Sequence, residues 1–181
     1  MNDMIKVLDQ SSCGLSANSA ACDGLEPRGF FTVVCRDSDG GVKWEEAFPN
    51  LVVTVGKNDL LDKYFAGSTY TAAFFMGLKG TGTIAAGDTM ASHAGWTEIT
   101  AYSNATRPAF TVGTASAGST SNTASPDVFN INGTATVAGC FITTNNTKGG
   151  TTGILFSAAD FASARSVISG DTLTVTYTIS C

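Results

Sequence analysis

The sequence predicts an all-β domain, an antiparallel β-sandwich of the jelly-roll or immunoglobulin-like kind with two short helical inserts. Three observations carry this. The last eleven residues, D-T-L-T-V-T-Y-T-I-S-C, alternate strictly, with Leu173, Val175, Tyr177 and Ile179 on one face and Thr172, Thr174, Thr176 and Thr178 on the other. A period of two is that of a half-buried strand, because successive side chains point to opposite faces. Short apolar or β-branched runs then recur between turn residues at intervals of roughly 8–12 residues, the spacing of sandwiches and barrels rather than βαβ units. Charge, finally, is sparse: 14% of 181 residues, against roughly 25% in an average soluble protein. With 43% apolar residues and a mean hydropathy of +0.14, a turn-rich β domain accounts for this better than disorder does.

In chain order, residues 1–26 show no period and are rich in small polar residues, as in S-S-C-G-L-S-A-N-S-A-A-C-D-G. They read as an extended N-terminal arm before a domain over 27–181. Phe30–Cys35 and Val42–Phe48 pattern as strands around the turn Asp37-Ser-Asp-Gly-Gly41, which makes a hairpin. Leu51–Val55 is a further strand. Asn58 reads as the N-cap of a short helix, Asp59–Phe65, whose Leu60, Leu61, Tyr64 and Phe65 share a face and which Gly67 stops. Thr69–Leu78 is apolar enough for a buried strand, Gly80–Gly87 a loop, Asp88–Ala94 one helical turn and Trp96–Tyr102 a strand. Beyond these come strands at Ala109–Val112, Asp127–Ile131, Ala135–Thr144 and Gly153–Phe156, with a Ser/Thr/Ala-rich connection over Gly113–Pro126. A second short helix, Ser157–Ala164, precedes the last strand. The expected core comprises Phe31, Val33, Leu51, Val53, Leu60, Phe74, Val137, Phe141, Leu155, Leu173, Val175 and Tyr177.

Composition excludes several function classes. A net charge of −5 and the lack of clustered Lys/Arg argue against nucleic-acid binding, which draws on counterion release. The longest apolar run, around Ala72–Leu78, falls far short of the roughly 20 residues of a membrane span. Met1–Gln10 carries Asp3, Lys6 and Asp9 with no apolar stretch after it, so no signal peptide is expected and synthesis is placed in a cytoplasm. The five cysteines (Cys13, Cys22, Cys35, Cys140, Cys181) form no C-x-x-C pair. They are expected to be free thiols packed as small apolar groups, with pairing of Cys13 and Cys22 in an oxidising medium as the alternative.

Candidate chemistry is thin. His93 is the only histidine, so a Ser-His-Asp triad or a multi-histidine zinc site would have to pass through it. Its expected role is structural. Asp37, Asp39, Glu45 and Glu46 are the densest acidic group, and paired carboxylates serve glycosidases or hold calcium. Here no Glu closes a calcium loop, and Asp-Gly-Gly is ordinary turn chemistry. The glycine-rich Gly77–Gly87 lacks the Lys-Ser/Thr of a phosphate loop. Tyr64, Phe65, Phe74, Phe75, Trp96 and Tyr102 are sugar-stacking candidates, weighed against the commoner use of such aromatics in a core. No catalytic residue, metal or cofactor is expected.

The segment W-E-E-A-F-P-N-L-V-V-T-V-G-K-N-D-L-L-D-K-Y-F-A-G-S (Trp44–Ser68) resembles small virion proteins of tailed bacteriophages. So do D-T-M-A-S-H-A-G-W-T-E (Asp88–Glu98), with Tyr102 and Arg107 after it, and the closing F-x-x-A-R-S-V-x-S-G-D-T-L-T-V-T-Y (Phe161–Tyr177). The resemblance covers most of residues 30–181 and brings no catalytic signature. It implies a non-enzymatic virion protein made in the host cytoplasm and present in many copies, in first place a head decoration (cement) protein. Its implied partners are the major capsid protein or other virion proteins, and copies of itself as a homo-oligomer, a trimer among the options. A receptor- or carbohydrate-binding module of the tail or head is the alternative, and an enzyme using Asp37, Asp39 or Glu46 ranks below both. In the arm, Ile5, Val7 and Leu8 are the expected partner-binding anchors. An aperiodic segment cannot offset an ordering entropy of roughly 1–2 kcal/mol per residue without a second surface.

Overall fold

A computed structural model describes residues 26–69 and 73–181. Eleven strands and one helix follow in the order β1 (Arg28–Arg36), β2 (Val42–Pro49), β3 (Leu51–Val52), α1 (Thr54–Tyr64), β4 (Phe74–Lys79), β5 (Glu98–Ile99), β6 (Ala109–Phe110), β7 (Ser119–Ser121), β8 (Asp127–Asn130), β9 (Ala135–Thr143), β10 (Leu155–Val167) and β11 (Thr172–Ser180). The fold is all-β, with two sheets in which every pairing is antiparallel.

Sheet A runs β2-β1-β11, with β7 and β8 both lying along the far edge of β11. The period of two in the last strand sets its register: Leu173, Val175 and Tyr177 pair with Cys35, Val33 and Phe31, and all six are buried. Sheet B runs β3-β10-β9-β4, with β5 and β6 along β4. Phe31, Val33, Phe48, Phe129 and Tyr177 from sheet A share one apolar core with Met76, Leu78, Val137, Ile142, Phe156 and Phe161 from sheet B. Stripping such side chains from water is the main favourable term in folding, at about 25 cal/mol per Å² of apolar surface.

Sheet B is covered on its other face as well. A second cluster joins Phe141, Leu155 and Ala158 of that face to Val53, Met90 and Trp96 from α1's leading end and the long loop after β4. This two-sided burial corrects the expected helix at Ser157–Ala164, which is the middle of the thirteen-residue β10. Its alanines carry high helix propensity, yet they are small because both faces are packed. Ala159 belongs to the main core and Ala158 to the second one. After Asp160 the register against β9 shifts, the next paired residue being Arg165, and Glu46 of β2 accepts from Ala162 N and Arg165 there.

Other expectations shift in detail. Helix α1 begins at Thr54 rather than Asp59, and no side chain caps it. Carbonyls from elsewhere serve its leading amides, since Val53 N donates to Phe156 O (3.2 Å) and Thr54 N to Ala86 O (2.8 Å). A helix whose end groups are satisfied by tertiary partners needs no Asn or Ser in front of it. Leu51, expected in the core, is 39% exposed, and Leu60 is only half-buried. Leu61, Tyr64 and Phe65 lie outside altogether. No helical turn forms over Asp88–Ala94, so α1 is the one helix among the described residues. The strands expected over Trp96–Tyr102 and Thr69–Leu78 shorten to β5 and β4, with residues 70–72 outside the described part, and the Gly113–Pro126 connection contributes β7.

Candidate interaction surface

With sheet B covered on both sides, the outer face of sheet A is the large sheet face that the described residues leave open. The pairings place its side chains in rows. Val128, Thr174, Val34 and Glu45 form one; Thr176, Thr32 and Ala47 the next; Ser121, Thr178, Phe30 and Pro49 the third. Phe30, Ala47, Pro49, Val128 and Thr178 are exposed, while Thr32, Val34, Thr174 and Thr176 are half-buried, as neighbours on a pleated sheet must be. Glu45, on the edge strand β2, is the only charged residue of these rows, and Arg28 and Arg36 stand at the two ends of β1. A solvated face more often carries Lys and Glu, and depletion of charge at the centre is one mark of an interface core. Beside this face, at the end of β7, lies an open concavity of about 610 Å³. The hydroxyls of Ser116, Ser119, Thr120, Ser121 and Thr123 line it.

The buried charges, by contrast, serve the fold. Arg107 donates twice to Glu98 (2.9 and 2.6 Å) and to the carbonyls of Asn145 and Gly150, with its guanidinium over the Phe141 ring. Lys79 Nζ donates to the carbonyls of Gly80 and Gly82 and to Asp160 Oδ1 (2.5 Å). Lys148 donates to the carbonyls of Tyr102 and Asn104. Each cation pins loops by donating to their carbonyls.

The sequence-derived candidates are scattered. Asp37 Oδ1 accepts from the amides of Asp39 and Gly41 and thereby builds the β1–β2 turn. Glu46 is engaged at the shift in β10, on a different part of the molecule's hydrogen-bond network. His93 stacks on Trp96 at 4.1 Å, its Nδ1 3.0 Å from the Trp96 carbonyl oxygen, and Trp96 Nε1 donates to Asp88 (2.9 Å). Trp96 and Tyr102 are buried, so neither can stack a sugar, whereas Tyr64 and Phe65 are open. Among the described residues, no three His, Cys, Asp or Glu side chains gather as a metal site. Cys35 and Cys140 are buried free thiols and burial pushes both up, Cys35 to about 11. Ile5, Val7 and Leu8 lie outside the described residues.

Sequence reasoning had the threonine ladder of β11 but missed how far the face extends. Val34, Ala47 and Val128 join it only through strand pairing, and no local pattern announces that. No protein-family model and no curated protein matches this chain.

Proposed function

We propose that this protein is a structural component of a tailed-bacteriophage virion, a decoration protein that binds the assembled head shell and reinforces it. The observation that carries the reading is the open outer face of sheet A, whose centre holds no charge. Its two sheets then form a β-sandwich of the jelly-roll or immunoglobulin-like kind, one sheet buried on both sides and the other free to dock. The partners are the major capsid protein or other virion proteins, with self-association into a homo-oligomer, a trimer among the options. Docking needs no cofactor and no catalytic residue. Threonine and small apolar side chains suit it, because they lose little rotamer freedom and leave no charge to desolvate.

The mechanism is mass action: a protein that binds the assembled state and not the dissociated one stabilises assembly as RT ln(1 + [L]/Kd), about 2.7 kcal/mol at a hundredfold excess over Kd. Heating particles with and without the protein tests it. The disruption temperature is expected to rise on addition, and an unchanged temperature at full occupancy removes the reinforcing role.

A further inference from the structure

The end of α1 exposes a group of large apolar side chains that neither the core nor the docking face uses. Tyr64 is 82% exposed, Phe65 68% and Leu61 47%, and the two rings sit edge-on at 4.9 Å. Lys57, Leu61, Tyr64 and Phe65 follow one another at helical spacing along a single stripe. A groove of about 110 Å³ starts that stripe, lined by Lys57, Leu60 and Leu61 on the helix and by Glu26 and Pro27 opposite. Glu26 and Pro27, where the described structure begins, thus lie against this helix, and twenty-five residues of chain precede them in the sequence.

We propose that residues 1–25 of the same chain lie along α1 and cover Leu61, Tyr64 and Phe65. Reach is no obstacle. Twenty-five residues span up to roughly 85 Å when extended, and an eleven-residue helix is about 16 Å long. Tethering at Glu26 makes the contact intramolecular, with an effective concentration of about millimolar or more, so the segment's own helix outcompetes a second copy at ordinary dilution. The chemistry also matches. The segment carries Leu25 immediately before Glu26 in the sequence and the apolar set Met4, Ile5, Val7 and Leu8 near its start. Its Asp23 stands three residues before Glu26 in the sequence, and Lys57, across the groove from Glu26, forms no ion pair among the described residues. This inference is independent of the docking role of sheet A, and it gives Ile5, Val7 and Leu8 a surface within the chain instead of on a neighbour.

Hydrogen exchange on the full chain and on a form lacking residues 2–25 tests it, together with particle mass by sedimentation. The deletion is expected to speed exchange of the α1 amides by about tenfold or more, since local opening governs it. Amides of β1 and β11 keep their rates, and the association state is unchanged. Because Leu61, Tyr64 and Phe65 are outside the core, the variant Leu61→Ser, Tyr64→Ser, Phe65→Ser folds. In that variant tryptic cleavage after Lys6 is expected to quicken by a similar factor. Unchanged α1 exchange after the deletion overturns the proposal. So does a deletion that lowers the association state, which would place the segment on a second copy.

Discussion

Asp127 is the residue whose burial has a direct consequence in solution. It lies at the start of β8, 4% exposed, and its one side-chain donor is Asn122 Nδ2 at 3.2 Å. Burial pushes its carboxyl up from 3.8 to about 7, against a smaller opposing effect of the Asn122 bond. Between those two values the native state holds a proton that the unfolded chain has released, so stability falls as pH rises through this window. Above about pH 7 the native state carries the full cost of a buried carboxylate, on the order of 4 kcal/mol. Asp127→Asn keeps the shape and removes the charge. Its unfolding free energy relative to wild type is expected to increase from pH 4 to pH 8, measured by denaturant titration at both. An equal difference at the two pH values would show that Asp127 ionises in the fold as freely as in the unfolded chain. The neighbouring Asn122 has a separate duty that should survive, because its Oδ1 accepts from Tyr177 N (2.8 Å) as a strand would.

Among the elements, α1 and β10 show how one close approach decides a geometry. Gly56 is the buried point of the helix, and a Cβ built there would stand 2.3 Å from the Phe156 carbonyl oxygen. Alanine is the better helix former by about 1 kcal/mol, so helix propensity alone favours Gly56→Ala. The backbone of β10 cannot yield as a flexible side chain would, and overpacking of this kind costs about 1–3 kcal/mol. Gly56→Ala is therefore expected to lower the thermal midpoint, while Asn58→Ala on the exposed side of the same helix leaves it unchanged or raises it. A Gly56→Ala protein as stable as wild type would mean that α1 does not seat on β10 in this way. Gly77 allows a similar close approach within sheet B, where a Cβ would fall 2.1 Å from the Phe141 ring, which is tilted against Trp96 and carries the Arg107 guanidinium over its face.

At the scale of the whole molecule the two sheets are unequal: among the described residues one is packed on both faces and the other on one. Charges on the open face should leave the fold alone and spoil docking. Thr174→Lys with Thr176→Lys is expected to change unfolding free energy by less than about 1 kcal/mol, as surface substitutions do, and to abolish attachment to shells in a co-sedimentation assay. A doubly substituted protein that still binds at full occupancy would move the docking site elsewhere, whereas a collapsed fold would show that something else packs on this face. The alternation in β11, the hairpin of β1 and β2 around Asp37–Gly41 and the all-β class were legible in the residues, because a pleated strand with one buried face can write its period into the chain and turn residues mark its ends. β10 was not, since a strand buried on both faces has no period and its alanines imitate a helix. Which face stays open was equally illegible. It depends on the loop after β4 and on α1 folding over sheet B, contacts between residues far apart in sequence that hydrophobic patterning does not encode. Local alternation thus settles what is strand and which side of it is apolar, and long-range packing alone decides which sheet is covered, how early α1 begins and where the uncharged surface lies.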